Sequence, residues 1–573
     1  MKNLTLALFI NGAGAVTLLA FSLFLFAMWD WLKPTRRAWR EWGPTLLISV
    51  LGAAIAYLSV SVDFKVLSDE TNLLSVANML TQFGKASNTE MWVYYYNTYH
   101  ALDVSVPTRP LLFPLLTSLV HAINGMRWWS PFLVNFACLT GIFFLSFTWA
   151  KQNLSKAIPG AYLIFLGLSM SPVLIINATS AGFDVCSLFF GFLAALLFTR
   201  YFQEKAAGED RAALTLRALV FTLVCFASVR YESIVALAFV GLAIHAPERF
   251  RKMPWSLYAT AGFLLLPLFV ARYLTWGQFE NPPGVAPFAL EHFVNHLGPF
   301  VTSFFLDPRG PYPILLHWLG LVGTMLLIPR LSFSGRVILA YMVFLWALLL
   351  SHHFGFAGHP TQARLFLPVS FGLSLMALYL LSGLERYVDR RGIIVVFVIL
   401  AFHHHQFAMG DPLMTQLTMT REVRHIRDFL DEDAQRGDLY VYERPGQLTA
   451  LGFSTISFNE FKAKQESYLE NIKRGLYRRL IVISKADFAI TGTFNLRRLR
   501  THMLTPSEEL RISVLEFAPW IPKFTDLELQ NMPPWHMPKK DPDSKGSGPR
   551  GGEKIPVFTV PPGAPSAPAG PRR

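Results

Sequence analysis

Charged residues are scarce in this 573-residue chain. They make up 16% of the residues and hydrophobic residues 52%, whereas a soluble globular protein is typically about 25% charged. The deficit excludes an ordinary soluble globular protein and indicates an integral membrane protein. Cysteine is scarce too, because Cys138, Cys186 and Cys225 are the only ones and all lie within or at the edge of apolar segments. The sequence therefore offers neither a disulfide framework nor a zinc-binding pattern.

The net charge of +13 is distributed in a way that argues against a nucleic-acid partner. The basic residues concentrate in short loops between apolar segments, as the positive-inside bias of membrane proteins predicts. We therefore expect membrane lipids rather than nucleic acid around this chain.

Apolar segments divide the first 407 residues into about twelve predicted transmembrane helices. Their predicted bounds are 4–29, 44–62, 131–150, 157–176, 185–201, 218–229, 233–246, 257–275, 314–328, 337–350, 365–384 and 393–407.

Whether the short apolar stretch 111–123 crosses the membrane determines the side on which every later loop lies. A full crossing needs roughly 20 residues, so this stretch is predicted to be a juxtamembrane helix. With that choice, each loop assigned to the cytoplasm carries at least two basic residues. The N-terminus, the long segment 63–130 and the residues after 407 are then expected outside the cytoplasm.

Four regions follow from this division. Residues 1–43 form an extra N-terminal transmembrane helix with a basic cytoplasmic loop, and 44–407 form the main membrane domain. Residues 408–530 alternate helical patterns with short β-like runs such as 439–442, 480–484 and 512–517, which predicts a small extracytoplasmic α/β domain. Residues 531–573 are rich in Pro, Gly, Ser and Lys and are predicted to be a disordered tail.

An acidic pair, Asp69-Glu70, follows the second span. Acidic residues are favoured in the first turn of a helix, and Ser68 is a plausible N-cap, so a solvated helix N-terminus is one interpretation. Carboxylates beside a membrane are costly unless they pair or do chemistry, so a catalytic site is the other.

Further polar residues are predicted on the same face, which favours the catalytic interpretation. They are Lys65, Arg109, Asp184, Arg230, Glu232, His352, His353, His359 and Arg364.

Each of these residues also has a simpler interpretation. Asp184 is equally suited to capping the next helix. A single arginine at this depth can extend to lipid headgroups, although several of them suit a phosphate ligand. A histidine pair with one distant histidine is a weak signal for metal, so we expect no cofactor, and a divalent metal is not indicated.

Several short motifs in order resemble a known family. An outward span leads into Ser-Asp-Glu-Thr at 68–71, followed by Arg-Pro-Leu-Leu-Phe-Pro from Arg109. A span ending in Ser-Pro, the loop acid Asp184, Arg-Tyr-Glu at 230–232 and Ala-Arg-Leu-Phe-Leu-Pro from 363 complete the series. Across about 44–407 the chain resembles the GT-C membrane glycosyltransferases, particularly the protein O-mannosyltransferases and the lipid A aminoarabinose transferases.

The resemblance implies a hexosyl- or pentosyltransferase with a polyprenyl-phosphate-linked sugar donor. Such an enzyme transfers its sugar with inversion to a lipid, glycan or protein hydroxyl at the extracytoplasmic face, here expected on a bacterial inner membrane. The resemblance also implies that Asp69 is the catalytic base and that Glu70 is its supporting neighbour. Donor-phosphate ligands would be Arg230 and Arg364, with Lys65 and Arg109 as weaker candidates, whereas Asp184, Glu232 and His359 would contact acceptor or sugar.

Two other functions are compatible with the hydropathy. A transporter or lipid flippase would move its cargo without forming a bond, but such folds usually carry inverted repeats and charges at mid-membrane. A membrane sensor or scaffold would use 408–530 as a binding module and would leave the polar cluster without a role.

Overall fold

The structure, a computed structural model, describes most of the chain. The described residues are 2–33, 36–65, 67–95, 98–153, 171–245, 254–275, 285–308, 310–359, 362–383, 412–434, 437–485, 496–505 and 508–515. The predicted span 393–407 and the predicted tail 531–573 lie outside them, and the predicted span 157–176 lies mostly outside them.

Helices dominate the part of the chain that precedes residue 434. Their bounds are Lys2–Leu32, Arg36–Ser59, Leu67–Phe83, Leu112–Asn124, Ser130–Asn153, Pro172–Ala178, Asp184–Ala206, Ala212–Val229, Ile234–His245, Trp255–Leu264, Leu266–Leu274, Leu290–Val301, Ile314–Leu327, Phe333–Ser351, Leu367–Gly383 and Pro412–Asp433. Short 3₁₀ turns precede or follow some of them, at Tyr231–Ser233, Ile328–Arg330 and Ala363–Phe366, and a π-helical turn covers Thr302–Leu306.

Among the described residues, eight helices are long and apolar enough to cross a membrane, and the chain is an integral membrane protein. They coincide with eight of the twelve predicted spans. Two more predicted spans, 233–246 and 314–328, correspond to the shorter apolar helices Tyr231–His245 and Ile314–Arg330. The stretch 111–123, predicted to be too short for a crossing, forms the 13-residue helix Leu112–Asn124.

The described residues form two compact units. The first comprises Met1–Ser87, Val106–His121 and Trp129–Thr420, and the second comprises Asn88–Ser105, Ala122–Trp128 and Arg421–Arg573. The first unit has a continuous apolar core that includes large, fully buried rings such as Phe143, Phe190 and Phe198.

The second unit is built on a seven-stranded mixed sheet in the order β2-β1-β4-β3-β5-β7-β6. The strands are Trp92–Tyr95 (β1), Thr98–Ala101 (β2), Leu439–Tyr442 (β3), Thr455–Ile456 (β4), Leu480–Ser484 (β5), Leu496–Thr505 (β6) and Glu508–Leu515 (β7). The parallel strands β4, β3 and β5 lie at its centre. Helices Pro445–Ala450, Phe458–Ala463 and Gln465–Lys473 occupy the connections between them.

The hairpin of β1 and β2 comes from the long segment between the second and third spans. Trp92 is fully buried, and its indole nitrogen donates a 2.9 Å hydrogen bond to the carbonyl of Phe453. The segment 91–99 is rich in aromatic residues, which in the sequence is typical of a membrane interface. Of these residues, Trp92 and Tyr94 are buried in β1 of the sheet, and Tyr99 lies in the edge strand β2.

Candidate active site

Helix ends bring the candidate residues together. Asp69 and Glu70 lie in the first turn of the helix Leu67–Phe83, and Asp184 opens the helix Asp184–Ala206. The positive end of the helix dipole favours acidic side chains at both places. Arg230 has extended backbone dihedrals at the C-cap of the helix Ala212–Val229, and Arg364 lies in the 3₁₀ turn Ala363–Phe366.

The carboxylate of Asp69 is held by two arginines. Arg109 Nη2 donates a 2.7 Å hydrogen bond to Oδ1, and Arg364 Nη2 donates to Oδ2. The Asp69 side chain is only 14% exposed. It is therefore a paired, largely buried carboxylate rather than a solvated helix N-terminus.

This environment shifts the ionisation of Asp69. Burial alone raises the pKa of the carboxyl group, but the guanidinium groups of Arg109 and Arg364 outweigh it and lower the pKa to about 2. Opposite charges and hydrogen bonds to the charged form both favour the carboxylate. Asp69 is therefore ionised at neutral pH in the free protein.

Arg364 continues the network to a second carboxylate. Its Nη1 lies 3.5 Å from Asp184 Oδ2, while Arg230 Nη1 lies 3.3 Å from Asp184 Oδ1. Arg230 Nε in turn lies 3.4 Å from Glu232 Oε2. Three arginines and three carboxylates thus alternate from Arg109 to Glu232 in one continuous series of ion pairs.

Burial varies along this series. The side chains of Asp184 and Arg230 are 3% and 9% exposed, whereas those of Arg109 and Glu232 are 35% and 43% exposed. The inner pairs are strongly constrained, because a buried charge that loses its partner is costly. The two ends of the series remain accessible.

Glu70 has a different environment from Asp69. Its Oε2 accepts a hydrogen bond from the backbone nitrogen of Lys65 at 2.6 Å, and its Oε1 accepts one from the backbone nitrogen of Ala181 at 2.9 Å. The residue is 1% exposed. Glu70 thereby fastens the segment before its own helix to the loop that leads to Asp184.

Lys65 is directed toward its own segment, since its Nζ donates to the carbonyl of Ser61 at 2.5 Å. His359 is exposed, and its backbone carbonyl accepts from the nitrogens of Gln362 and Ala363, so it starts the turn that leads to Arg364. The rings of His352 and His353 are in contact at a tilt of 34°, with their centroids 4.5 Å apart. Burial and the neighbouring His353 lower the pKa of His352 to about 4, so its imidazole is neutral at neutral pH.

Asn135 is a supporting residue that the sequence does not single out. It is fully buried, and its Nδ2 donates 2.7 Å hydrogen bonds to the carbonyls of Ser180 and Gly182. These bonds fix the loop between the helix Pro172–Ala178 and Asp184. Asn135 lies within a predicted span, and a lone amide among apolar residues is the signal that points to it.

The described residues contain no group of three His, Cys, Asp or Glu side chains with metal-binding geometry.

Crystal structures similar to this chain include two of ArnT from Cupriavidus metallidurans. ArnT from Cupriavidus metallidurans in the apo state aligns with a TM-score of 0.50 at 12% sequence identity, over 82% of this chain and 98% of that chain. ArnT bound to undecaprenyl phosphate aligns with a TM-score of 0.45 at the same identity and coverage. The sequence matches no protein-family profile and no curated protein sequence. The chain therefore shares the fold of the apo ArnT structure, which agrees with the fold class that the resemblance in sequence predicts.

Proposed function

We propose that this protein is an inverting glycosyltransferase that acts at the extracytoplasmic face of a bacterial inner membrane. It moves a hexosyl or pentosyl group from a polyprenyl-phosphate-linked donor to a hydroxyl of a lipid, glycan or protein acceptor. One observation carries the proposal: the ionised, largely buried carboxylate of Asp69 lies between two arginines, in a chain with the GT-C fold.

Asp69 acts as the general base. The acceptor oxygen attacks the anomeric carbon, the bond between that carbon and the donor phosphate oxygen breaks, and the acceptor proton passes to Asp69. A base that takes the proton as the new bond forms typically contributes about 10² to 10⁴ in rate. The products are the glycosylated acceptor and the polyprenyl phosphate.

The arginines stabilise the leaving group. A phosphate monoester needs stabilisation of its negative charge rather than a proton, and guanidinium groups supply paired donors suited to its oxygens. Arg364 and Arg230 are the central ligands in this proposal, with Arg109 at the accessible end of the series. Undecaprenyl phosphate, the lipid bound in one of the ArnT crystal structures, is a polyprenyl phosphate.

Donor binding also changes the proton affinity of Asp69 in this proposal. In the free protein both oxygens of Asp69 accept hydrogen bonds from arginines, which makes the carboxylate a weak base. A donor phosphate that takes over part of these hydrogen bonds raises the proton affinity of Asp69. The base thereby becomes competent when the donor is present.

In this proposal Lys65 and Asp184 have roles other than the phosphate and sugar contacts that the resemblance implies. Glu70 holds the backbone around Asp69, and the Lys65 ammonium donates to the Ser61 carbonyl. Asp184 orients Arg230 and Arg364, while Glu232 and His359 remain candidates for contacts with acceptor or sugar.

The test uses the full chain in lipid nanodiscs with synthetic polyprenyl-phosphate sugars and a membrane extract as the source of acceptors. We expect release of polyprenyl phosphate together with a new glycosylated product, and a loss of about 10² to 10⁴ in rate for Asp69→Asn. The matched control is Asp210→Asn, a change of charge at an exposed loop position.

Near-full activity of Asp69→Asn overturns the assignment of the base. Movement of the sugar lipid across a bilayer with no bond formed overturns the enzyme and favours a transporter or flippase.

A further inference from the structure

Tyr231 lies between two members of the ion-pair series, Arg230 and Glu232. It begins the 3₁₀ turn Tyr231–Ser233, directly after the extended backbone of Arg230. Its hydroxyl oxygen is buried and has no hydrogen-bond partner among the described residues. Buried polar groups are nearly always hydrogen-bonded, so an unpartnered one beside a candidate site calls for an explanation.

A second unpartnered donor belongs to Arg109. Its Nη2 pairs with Asp69, whereas its Nε is buried and has no partner among the described residues. The guanidinium groups of Arg109 and Arg272 both act electrostatically on the Tyr231 hydroxyl. Both unpartnered donors therefore belong to the ion-pair series or to the residue between two of its members, and two cations lie close enough to act on the Tyr231 hydroxyl.

These features identify the chemistry of the missing partner. A guanidinium nitrogen donates only, and a phenol hydroxyl donates to any strong acceptor. Adjacent cations favour an acceptor with negative charge, and phosphate oxygens meet both requirements. The carboxylate of Glu232 also acts on Tyr231, but Arg230 lies 3.4 Å from it and offsets its charge.

We propose that Tyr231 is a further substrate-binding residue, whose hydroxyl donates a hydrogen bond to a phosphate oxygen of the lipid-linked donor while Arg109 Nε donates to the same phosphate. This assignment rests on the proposed function. It adds a neutral donor to a site otherwise formed by arginines, and it gives Arg109 a direct contact beyond its ion pair with Asp69.

The proposal has an unusual consequence for stability. In the free protein the hydroxyl makes no hydrogen bond, so removing it leaves no new unpartnered group and relieves one that exists. The change Tyr231→Phe should therefore leave the free protein as stable as the wild type, or more stable, while it weakens phosphate binding. Functional sites commonly show this opposition of stability and binding.

The experiment measures binding of undecaprenyl phosphate to the full-length protein in nanodiscs, by titration of its thermal unfolding temperature. We expect Tyr231→Phe to raise the Kd about 10- to 100-fold, as loss of a hydrogen bond to a charged group does. Undecaprenol, which has the same lipid chain without the phosphate, should bind the variant and the wild type equally.

The matched control is Tyr258→Phe. The hydroxyl of Tyr258 lies 2.7 Å from His245 Nε2 and so has a partner. Its loss should lower the unfolding temperature without changing the Kd for undecaprenyl phosphate.

The outcomes separate the two proposals. Absence of undecaprenyl phosphate binding by the wild type overturns the proposed function. Binding by the wild type with an equal Kd for Tyr231→Phe overturns only the role of Tyr231, as does a fall in unfolding temperature as large as that of Tyr258→Phe.

Discussion

Arg364 and Asp69 form an ion pair although 295 positions separate them in the sequence. The same guanidinium lies 3.5 Å from Asp184. One arginine therefore links the first turns of two helices, Leu67–Phe83 and Asp184–Ala206, and holds their carboxylates near each other. Without the cation, two carboxylates in a largely buried site would repel each other.

The first prediction concerns this link. Lysine keeps the charge of Arg364 but is a compact point charge that cannot present separate nitrogens to Asp69 and Asp184. We expect Arg364→Lys to lower the free energy of unfolding by about 1 to 3 kcal/mol and to reduce sugar transfer at least about tenfold. Thermal unfolding and product formation measure the two effects.

Arg330→Lys is the control, because Arg330 is exposed at the end of another helix. Wild-type stability of Arg364→Lys would show that the two ion pairs add nothing to the fold.

The second prediction concerns acid. The pKa of Asp69 is lowered from 3.8 to about 2 in the folded protein, so its contribution to stability is present above pH 4 and is lost as the pH falls toward 2. The loss amounts to about 2 kcal/mol. Unfolding temperatures between pH 2 and pH 6 should therefore fall less steeply for Asp69→Asn than for the wild type or Asp210→Asn. Parallel curves for all three proteins would contradict the assigned ion pairs.

The third prediction separates the two adjacent carboxylates. Glu70 accepts from two backbone nitrogens, and in Glu70→Gln an amide NH₂ would face one of those donors. We expect a loss of about 1 to 3 kcal/mol in the free energy of unfolding, with a smaller loss of transfer than Asp69→Asn shows. The two variants are compared at a temperature where both are folded. If Glu70→Gln loses as much sugar transfer as Asp69→Asn, Glu70 has a chemical role of its own.

The fourth prediction concerns sidedness. The three native cysteines are buried, so they should give little background with a thiol reagent that cannot cross membranes. In intact cells we expect Lys85→Cys to react, because residues 63–130 are expected outside, and Glu209→Cys to react only after the cells are opened. Both positions are exposed. The reverse pattern would place the candidate site on the cytoplasmic side.

The fifth prediction concerns the second unit. Trp92 is fully buried and hydrogen-bonded to Phe453, so Trp92→Ala should cost about 3 to 5 kcal/mol. Hydrogen exchange of the full chain should show faster exchange in β1, β3 and β4 of the variant. Unchanged protection of β3 would mean that the hairpin is dispensable for the sheet.

Local patterns in the sequence predict much of this fold. The strands Leu439–Tyr442 and Leu480–Ser484 have the predicted bounds, because short apolar runs rich in β-branched and aromatic residues are distinctive. The hairpin at 92–101 is not predicted: its own two strands are adjacent in the sequence, but β4, the strand that joins it to the rest of the sheet, lies more than 350 residues further along the chain. Aromatic residues suit a buried strand and a membrane interface equally well.

The sequence predicts which residues gather at the candidate site but not how they pair. The positive-inside bias places Asp69, Asp184, Arg230 and Arg364 on one face, but it carries no information on which arginine meets which carboxylate. The side chain of Lys65 turns to the Ser61 carbonyl through a backbone geometry that no sequence pattern reveals. The unpartnered hydroxyl of Tyr231 likewise becomes evident only once its surroundings are known.

The hairpin of β1 and β2 also constrains how the protein is made. Trp92 and Phe453 are 361 positions apart, and at a synthesis rate of roughly 5 to 20 residues per second the ribosome needs about 20 to 70 seconds to travel between them. During that interval the hairpin has no neighbouring strand and presents unpaired backbone edges, which are prone to aggregation. We therefore expect a chaperone to bind this segment during synthesis, or chains truncated before residue 455 to be degraded rapidly.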